Sequence, residues 1–162
     1  DGTNDYISMG STASLRPNYV TLAVWIKDPG SAGGIAGTRT NGGAADGYGL
    51  SLGGGNILFA VYYTVTATGL TSGSSSSTGV APVAGWNHIV GVYDGASKKV
   101  YLNGVQINNQ SLPVGVLYYP NTPFQIGHNT GLGYFSGKIS EVRVYNRALS
   151  VSEVQTLYNA GH

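Results

Sequence analysis

The chain has no cysteine, one methionine and three phenylalanines, and its 162 residues carry only eight basic and seven acidic side chains. Each shortage excludes something. Without cysteine there is no disulfide framework, no thiol nucleophile and no cysteine-based metal site. Charged residues make up 9% of the chain, against about 25% in an average soluble domain. A net charge of +1 offers no positive field for nucleic acid. Lysine and glutamate, the good helix formers, are scarce beside 26 glycines, which argues against long helices. No run reaches about 18 consecutive apolar residues, so no segment is built to cross a membrane as a helix. Disorder is excluded from the other side: 41% hydrophobic residues suffice for a core.

What is present points to an all-β protein. Twelve tyrosines and many β-branched residues favour strands, and the length suits one domain over 1–162. Asp1 opens inside a strand-like pattern with no signal peptide before it, which reads as a domain excised from a larger, extracellular protein. Short apolar runs alternate with turn signals. Tyr6–Met9, Thr21–Lys27, Tyr48–Leu52, Ile57–Tyr63, Ile89–Tyr93, Lys99–Leu102, Phe124–Gly127 and Lys138–Tyr145 read as strands. Asn103-Gly104 is a strong hairpin signal, because both residues tolerate positive φ. About ten such strands at short spacing indicate a β-sandwich. Gly69–Gly79, with its serine run, reads as a flexible loop. One short C-terminal helix is expected. Ser150 and Glu153 form a capping box, Val151, Val154 and Leu157 follow at helical spacing, and Gly161 stops it. It is placed on the sandwich as a lid.

These residues carry a resemblance to a family. Asp1-Gly-Thr-Asn-Asp-Tyr-Ile7, Leu22-Ala-Val-Trp-Ile-Lys27, Gly47-Tyr-Gly-Leu50 and Trp86-Asn-His-Ile-Val-Gly-Val-Tyr-Asp-Gly95 come in order. Val100-Tyr-Leu-Asn-Gly104, Ile126-Gly-His-Asn129 and the closing segment Phe135–Leu149 follow. Together they resemble the laminin-G-like, concanavalin-A-like lectin/glucanase superfamily in its bacterial and phage-type branch. The resemblance implies a two-sheet antiparallel jelly roll. It leaves function open, because the fold hosts lectins, glycosidases, adhesion modules and virion parts.

Catalysis is not expected. Glycosidases need two facing carboxylates, and the only glutamates are Glu141 in the closing strand and Glu153 in the helix cap. No Gly-x-Ser-x-Gly elbow is present. His88 falls within a strand at a position where the family has a structural histidine, His162 is terminal, and His128 follows a strand, where it can meet a ligand.

Calcium, which needs six to eight oxygen ligands, has two candidate places. One is the start, at Asp1 and Asp5; relatives complete that site with an aspartate where this chain has Ser140. The other is the sandwich rim, where Asp46 resembles the calcium aspartate of laminin and neurexin modules and Asn121 is the nearest match to its partner.

The aromatics suggest a glycan surface, since their rings offer large apolar area with a polar tip. Trp25 and Trp86 sit in framework segments and read as core. Tyr62-Tyr63 and Tyr118-Tyr119 are adjacent pairs, so one ring of each must leave the core. Stacking is expected of Tyr63 and Tyr119. Arg39 in the glycine-rich loop, His128, Asn129 and Tyr134 complete the expected ligand set with Tyr62, Tyr118, Asp46 and Asn121. The expected function is a non-catalytic carbohydrate-binding module for a polysaccharide, attached to neighbouring domains. The alternative is a structural or adhesive module of a virion or bacterial surface.

Overall fold

The computed structural model describes residues 3–38, 47–119 and 122–161. The strands are β1 (Ile7–Ser8), β2 (Val20–Lys27), β3 (Gly33–Gly37), β4 (Tyr48–Gly53), β5 (Asn56–Val65), β6 (Thr71–Ser77) and β7 (Trp86–Tyr93). They continue as β8 (Ser97–Leu102), β9 (Val105–Ser111), β10 (Gly115–Leu117), β11 (Gln125–Ile126), β12 (His128–Asn129), β13 (Gly133–Tyr134) and β14 (Lys138–Tyr145). The described residues also include a short 3-10 turn, Ala13–Leu15, and one α-helix, α1 (Val151–Asn159), after the last strand.

Two antiparallel sheets form the sandwich. One has five strands in the order β14-β2-β7-β8-β9. The other has seven: β1-β11-β3-β4-β5 run in sequence, β6 pairs along β5, and β10 pairs with β5 beyond the end of β4. The inward faces follow the period of two. Val20, Leu22, Val24 and Ile26 from β2 meet Ile57, Phe59, Val61 and Tyr63 from β5 in one core. Gly91 of β7 lies opposite Phe59: a Cβ there would stand 2.5 Å from the ring. The hairpin turn expected at Asn103-Gly104 is built as such, with positive φ at both residues, and Gly54 and Gly55, also at positive φ, turn β4 into β5.

The chain therefore adopts the all-β jelly-roll sandwich with one C-terminal helix. That helix has the expected capping box between Ser150 and Glu153. Its Val154 is fully buried with Ala23, Val90, Val92, Tyr101 and Leu149 on the outer face of the five-stranded sheet.

Gly69–Gly79 does not form the expected loop. Residues 71–77 are the edge strand β6, in unbroken register with β5 from Leu58↔Ser77 to Thr64↔Thr71. The pairing comes from tertiary contacts that serine's own propensity does not reveal. Lys98 of β8 is wholly buried, and its Nζ donates to the carbonyls of Phe59 (2.9 Å) and Ser74 (3.1 Å). Gln110 Oε1 of β9 accepts from the hydroxyls of Ser74 and Ser76. These contacts tie β6 across the sandwich to the other sheet.

Candidate functional site

The outer face of the seven-stranded sheet is built from small and hydroxylated residues. The strand registers line up Ser8, Gln125, Gly37, Gly49, Ala60 and Ser75 in one row across β1, β11, β3, β4, β5 and β6. The next row runs Gly34, Ser51, Leu58 and Ser77. No Asp, Glu, Lys or Arg stands on this face among the described residues. The glycines of the floor bring main chain close to whatever lies above. At Gly34 this already happens: a Cβ there would fall 2.3 Å from the Asn129 amide nitrogen. The small hairpin of β12 and β13 thus rests directly on β3 and forms one wall. His128 and Asn129 close over Gly37 and Gly49, leaving a gap too tight to admit water.

Aromatic rings stand on both sides of this floor. On the hairpin side, His128 and Tyr134 are paired across β12 and β13, with ring centroids 4.5 Å apart. Tyr6, 49% exposed, joins them at 5.4 Å from His128. His128 Nδ1 lies 3.2 Å from Gln125 Oε1, which orients the ring. On the other side, Tyr62 of β5 and Tyr118 after β10 meet edge to face at 5.8 Å. Tyr62 is anchored by a 3.3 Å hydrogen bond from its hydroxyl to Thr71 Oγ1. Two strand spacings of about 4.8 Å, from β5 across β4 to β3, separate the walls, so the floor between them is roughly 10 Å wide.

The expected ligand residues divide accordingly. Tyr62, Tyr118, His128 and Tyr134 are on this face. Tyr63 and Tyr119 are not, which reverses the stacking roles assigned to those rings. Tyr63 is 2% exposed and packs on Tyr93 in the core. The Tyr119 hydroxyl donates to the Pro17 carbonyl at 2.7 Å, and burial with neighbouring Tyr48 pushes its phenol up. Alternation required one ring of each pair to leave the core. The register with β4 and β10 decides which, and that register is not visible in the sequence.

Asn129 is buried and holds the hairpin turn by accepting from the Gly131 amide. Arg39, Asp46, Asn121 and Asp1 lie outside the described residues. Of the four expected calcium residues only Asp5 is described, and no cluster of three His, Asp or Glu able to hold a metal occurs among the described residues. Tyr6 and Gln125 were missed. Their signal was position alone: Tyr6 immediately before β1, and Gln125 alternating with the inward Ile126.

Three of the described carboxylates are engaged away from this face. Glu141 pairs with Arg143 on β14. Glu153 pairs with Arg147 and caps α1. Asp94 accepts from Lys99 in the β7–β8 turn. His88 is buried on the outer face of the five-stranded sheet, 4.9 Å from the Trp25 ring. Burial, reinforced by Arg143, lowers its pKa to about 4.

The model of the concanavalin A-like lectin/glucanase superfamily matches residues 1–155. The chain belongs to this superfamily. Among solved structures, domain 4 of AbnA, a family-43 extracellular arabinanase from Geobacillus stearothermophilus solved with arabinotriose, superposes with a TM-score of 0.64. It shares 23% identity over 89% of this chain and 68% of that one. A Bacteroides ovatus protein assigned as carbohydrate-binding gives 0.70 at 20% identity, over 93% of this chain and 43% of that one. The binding domain of Paraclostridial Mosquitocidal Protein 1 gives 0.67 at 19% identity, over 98% and 41%. At these identities the likeness is one of fold. In sequence, zebrafish (Danio rerio) adhesion G-protein coupled receptor V1 is 25% identical over 144 residues, 86% of this chain but 2% of that receptor. The chain thus spans a small fraction of that relative. No described helix is long and apolar enough to cross a membrane.

Proposed function

We propose that the chain is a non-catalytic glycan-binding module of a larger extracellular protein, holding an uncharged polysaccharide on the outer face of the seven-stranded sheet. One observation carries this reading: a glycine-floored strip, free of acidic and basic side chains among the described residues, runs between two aromatic walls. Sugar rings have apolar C–H faces that stack on tyrosine and hydroxyls that bond amides and hydroxyl groups. Tyr62 and Tyr118 supply rings, while Gln125 and the exposed β6 serines Ser75 and Ser77 supply polar partners. That no carboxylate pair stands at the strip among the described residues supports binding without hydrolysis. The arabinotriose complex of the AbnA domain makes arabinan the first polymer to try.

Affinity electrophoresis through gels of arabinan and other neutral polysaccharides tests the proposal. Retardation is expected on at least one of them. Tyr62→Ala and Tyr118→Ala should each weaken binding by about 1–3 kcal/mol, by analogy with ring stacking on bases. Absence of retardation on every polymer refutes the proposal. The adhesion-receptor relative supports a second reading, a protein-binding module. In that case a partner should cover more than about 1,000 Å² of this surface, and no gel would retard the chain.

A further inference from the structure

Of the seven described cations four are committed, and a fifth, Arg16, stands apart with its Nε and Nη2 buried and without a hydrogen-bond partner. Lys98 is buried between the sheets. Lys99, Arg143 and Arg147 pair with Asp94, Glu141 and Glu153. Lys27 and Lys138 form no ion pair among the described residues, and β14 pairs with β2 so that the two are direct cross-strand partners. Ile26 and Ile139 beside them point into the core, so both lysines leave the outer face of the five-stranded sheet. Direct cross-strand neighbours have Cβ atoms about 5 Å apart, and like charges there are destabilising. Trp86, half-buried, is the next residue in the same row, paired with Lys27. Arg143 stands further along this face, opposite Ala23. Neither lysine has an ion-pair partner among the described residues, nor has exposed Asp28, which adjoins Lys27, so the patch stays net positive in a chain whose net charge is +1.

We propose that Lys27, Lys138 and Trp86 form a second binding site, on the face opposite the tyrosine groove, for an acidic polysaccharide bearing carboxylate or sulfate groups. A bound anion between the lysines turns their repulsion into two attractions. The adjacent indole offers a flat apolar surface to a sugar ring, which an inorganic anion or an extended phosphodiester does not match. The site is independent of the groove: it lies on the other sheet and uses charge where the groove uses none.

Dextran and dextran sulfate separate charge from backbone, polygalacturonate supplies carboxylates, and single-stranded poly(dT) supplies a polyanion without a sugar face of this kind. At low salt the intact chain should be retarded by dextran sulfate or polygalacturonate and not by dextran through this site. K27Q/K138Q should weaken that retention about tenfold or more, K27R/K138R should keep it, and Y62A/Y118A should leave it unchanged. The lysines are at the surface, so K27Q/K138Q should melt no lower than the parent. The proposal is overturned if acidic polymers fail to retain the chain at low ionic strength or if K27Q/K138Q binds them equally. It is also overturned if poly(dT) is held as tightly, which marks general polyanion attraction, or if Y62A/Y118A abolishes the retention, which assigns the acidic polymer to the groove. Loss of neutral-polymer binding in Y62A/Y118A, with acidic-polymer binding intact, separates the two sites.

Discussion

At the scale of single residues, burial and partners decide how stability depends on pH. His88 is held at about 4 by burial and by Arg143, while an unfolded histidine titrates near 6.5. Between these values the unfolded chain binds more protons, so His88 favours folding fully above about pH 6.5. That contribution, about 3 kcal/mol, is lost as the pH falls toward 4. Its Nδ1 is buried without a hydrogen-bond partner, so a proton there finds nothing to accept it. Urea unfolding at pH 7, 5.5 and 4.5 should show a steady fall in the native chain. His88→Phe, which keeps a ring beside Trp25 and Tyr158, should flatten it, and equal slopes would refute the assignment. Asp94 acts in a lower window. Burial pushes its carboxyl up, but hydrogen bonds from Lys99, the Ala96 amide and Ser97 outweigh this and hold it at about 2. Its contribution is present above about pH 4 and disappears below. The same contrast of residue and surroundings explains the tyrosine pairs: identical side chains, one step apart, become core in Tyr63 and groove wall in Tyr62. Composition cannot separate them; only pairing partners can.

At the scale of elements, legibility tracked apolar alternation. Strands such as β2 and β7, whose apolar residues alternate or run together, could be read directly, and so could α1 through its cap. Strand β6 could not, because Thr-Ser-Gly-Ser-Ser-Ser-Ser has neither hydropathy pattern nor β propensity. Its strand state comes from β5 beside it and from Lys98 and Gln110 across the sandwich. Lys98→Met keeps most of the volume but removes the charge-assisted donor from two buried carbonyls. Amide exchange should then accelerate across 71–77 while β2 and β7 stay protected; unchanged protection of β6 would mean that β5 alone holds it. Strand β3 is not legible in the sequence. Its glycines look like a loop, yet Gly33 and Gly34 lie under the β12–β13 hairpin and Gly37 lies against the β4 backbone at Tyr48 and Gly49. Gly34→Ala should displace that hairpin and weaken neutral-glycan binding. It should lower stability by about 1–3 kcal/mol, the range for overpacking. Shifted His128 ring resonances would report the displacement directly.

At the scale of the whole molecule, both candidate binding faces point outward and the core lies between them, so stability and recognition are carried by different residues. The inter-sheet contact of Phe59 with Gly91 is the place to separate them. Phe59 is fully buried, and a Cβ at Gly91 would meet its ring at 2.5, 2.6 and 2.8 Å. Neither strand can retreat freely: β7 is held between β2 and β8, and β5 between β4 and β6. Gly91→Ala must therefore spread the sheets or force Phe59 from its rotamer, at about 1–3 kcal/mol. For a domain of this size each kcal/mol lowers the melting temperature by about 2–4 °C, so a fall of roughly 2–12 °C is expected. Because one core joins both sheets, fluorescence and far-ultraviolet circular dichroism should report a single coincident transition. At temperatures well below that transition, affinity for a neutral glycan should stay within about twofold of the parent. The outward rings of Tyr62 and Tyr118 do not touch Gly91. A large loss of affinity in the folded Gly91→Ala protein would show that sheet spacing is transmitted to the groove, and that core and recognition surface are one mechanical unit.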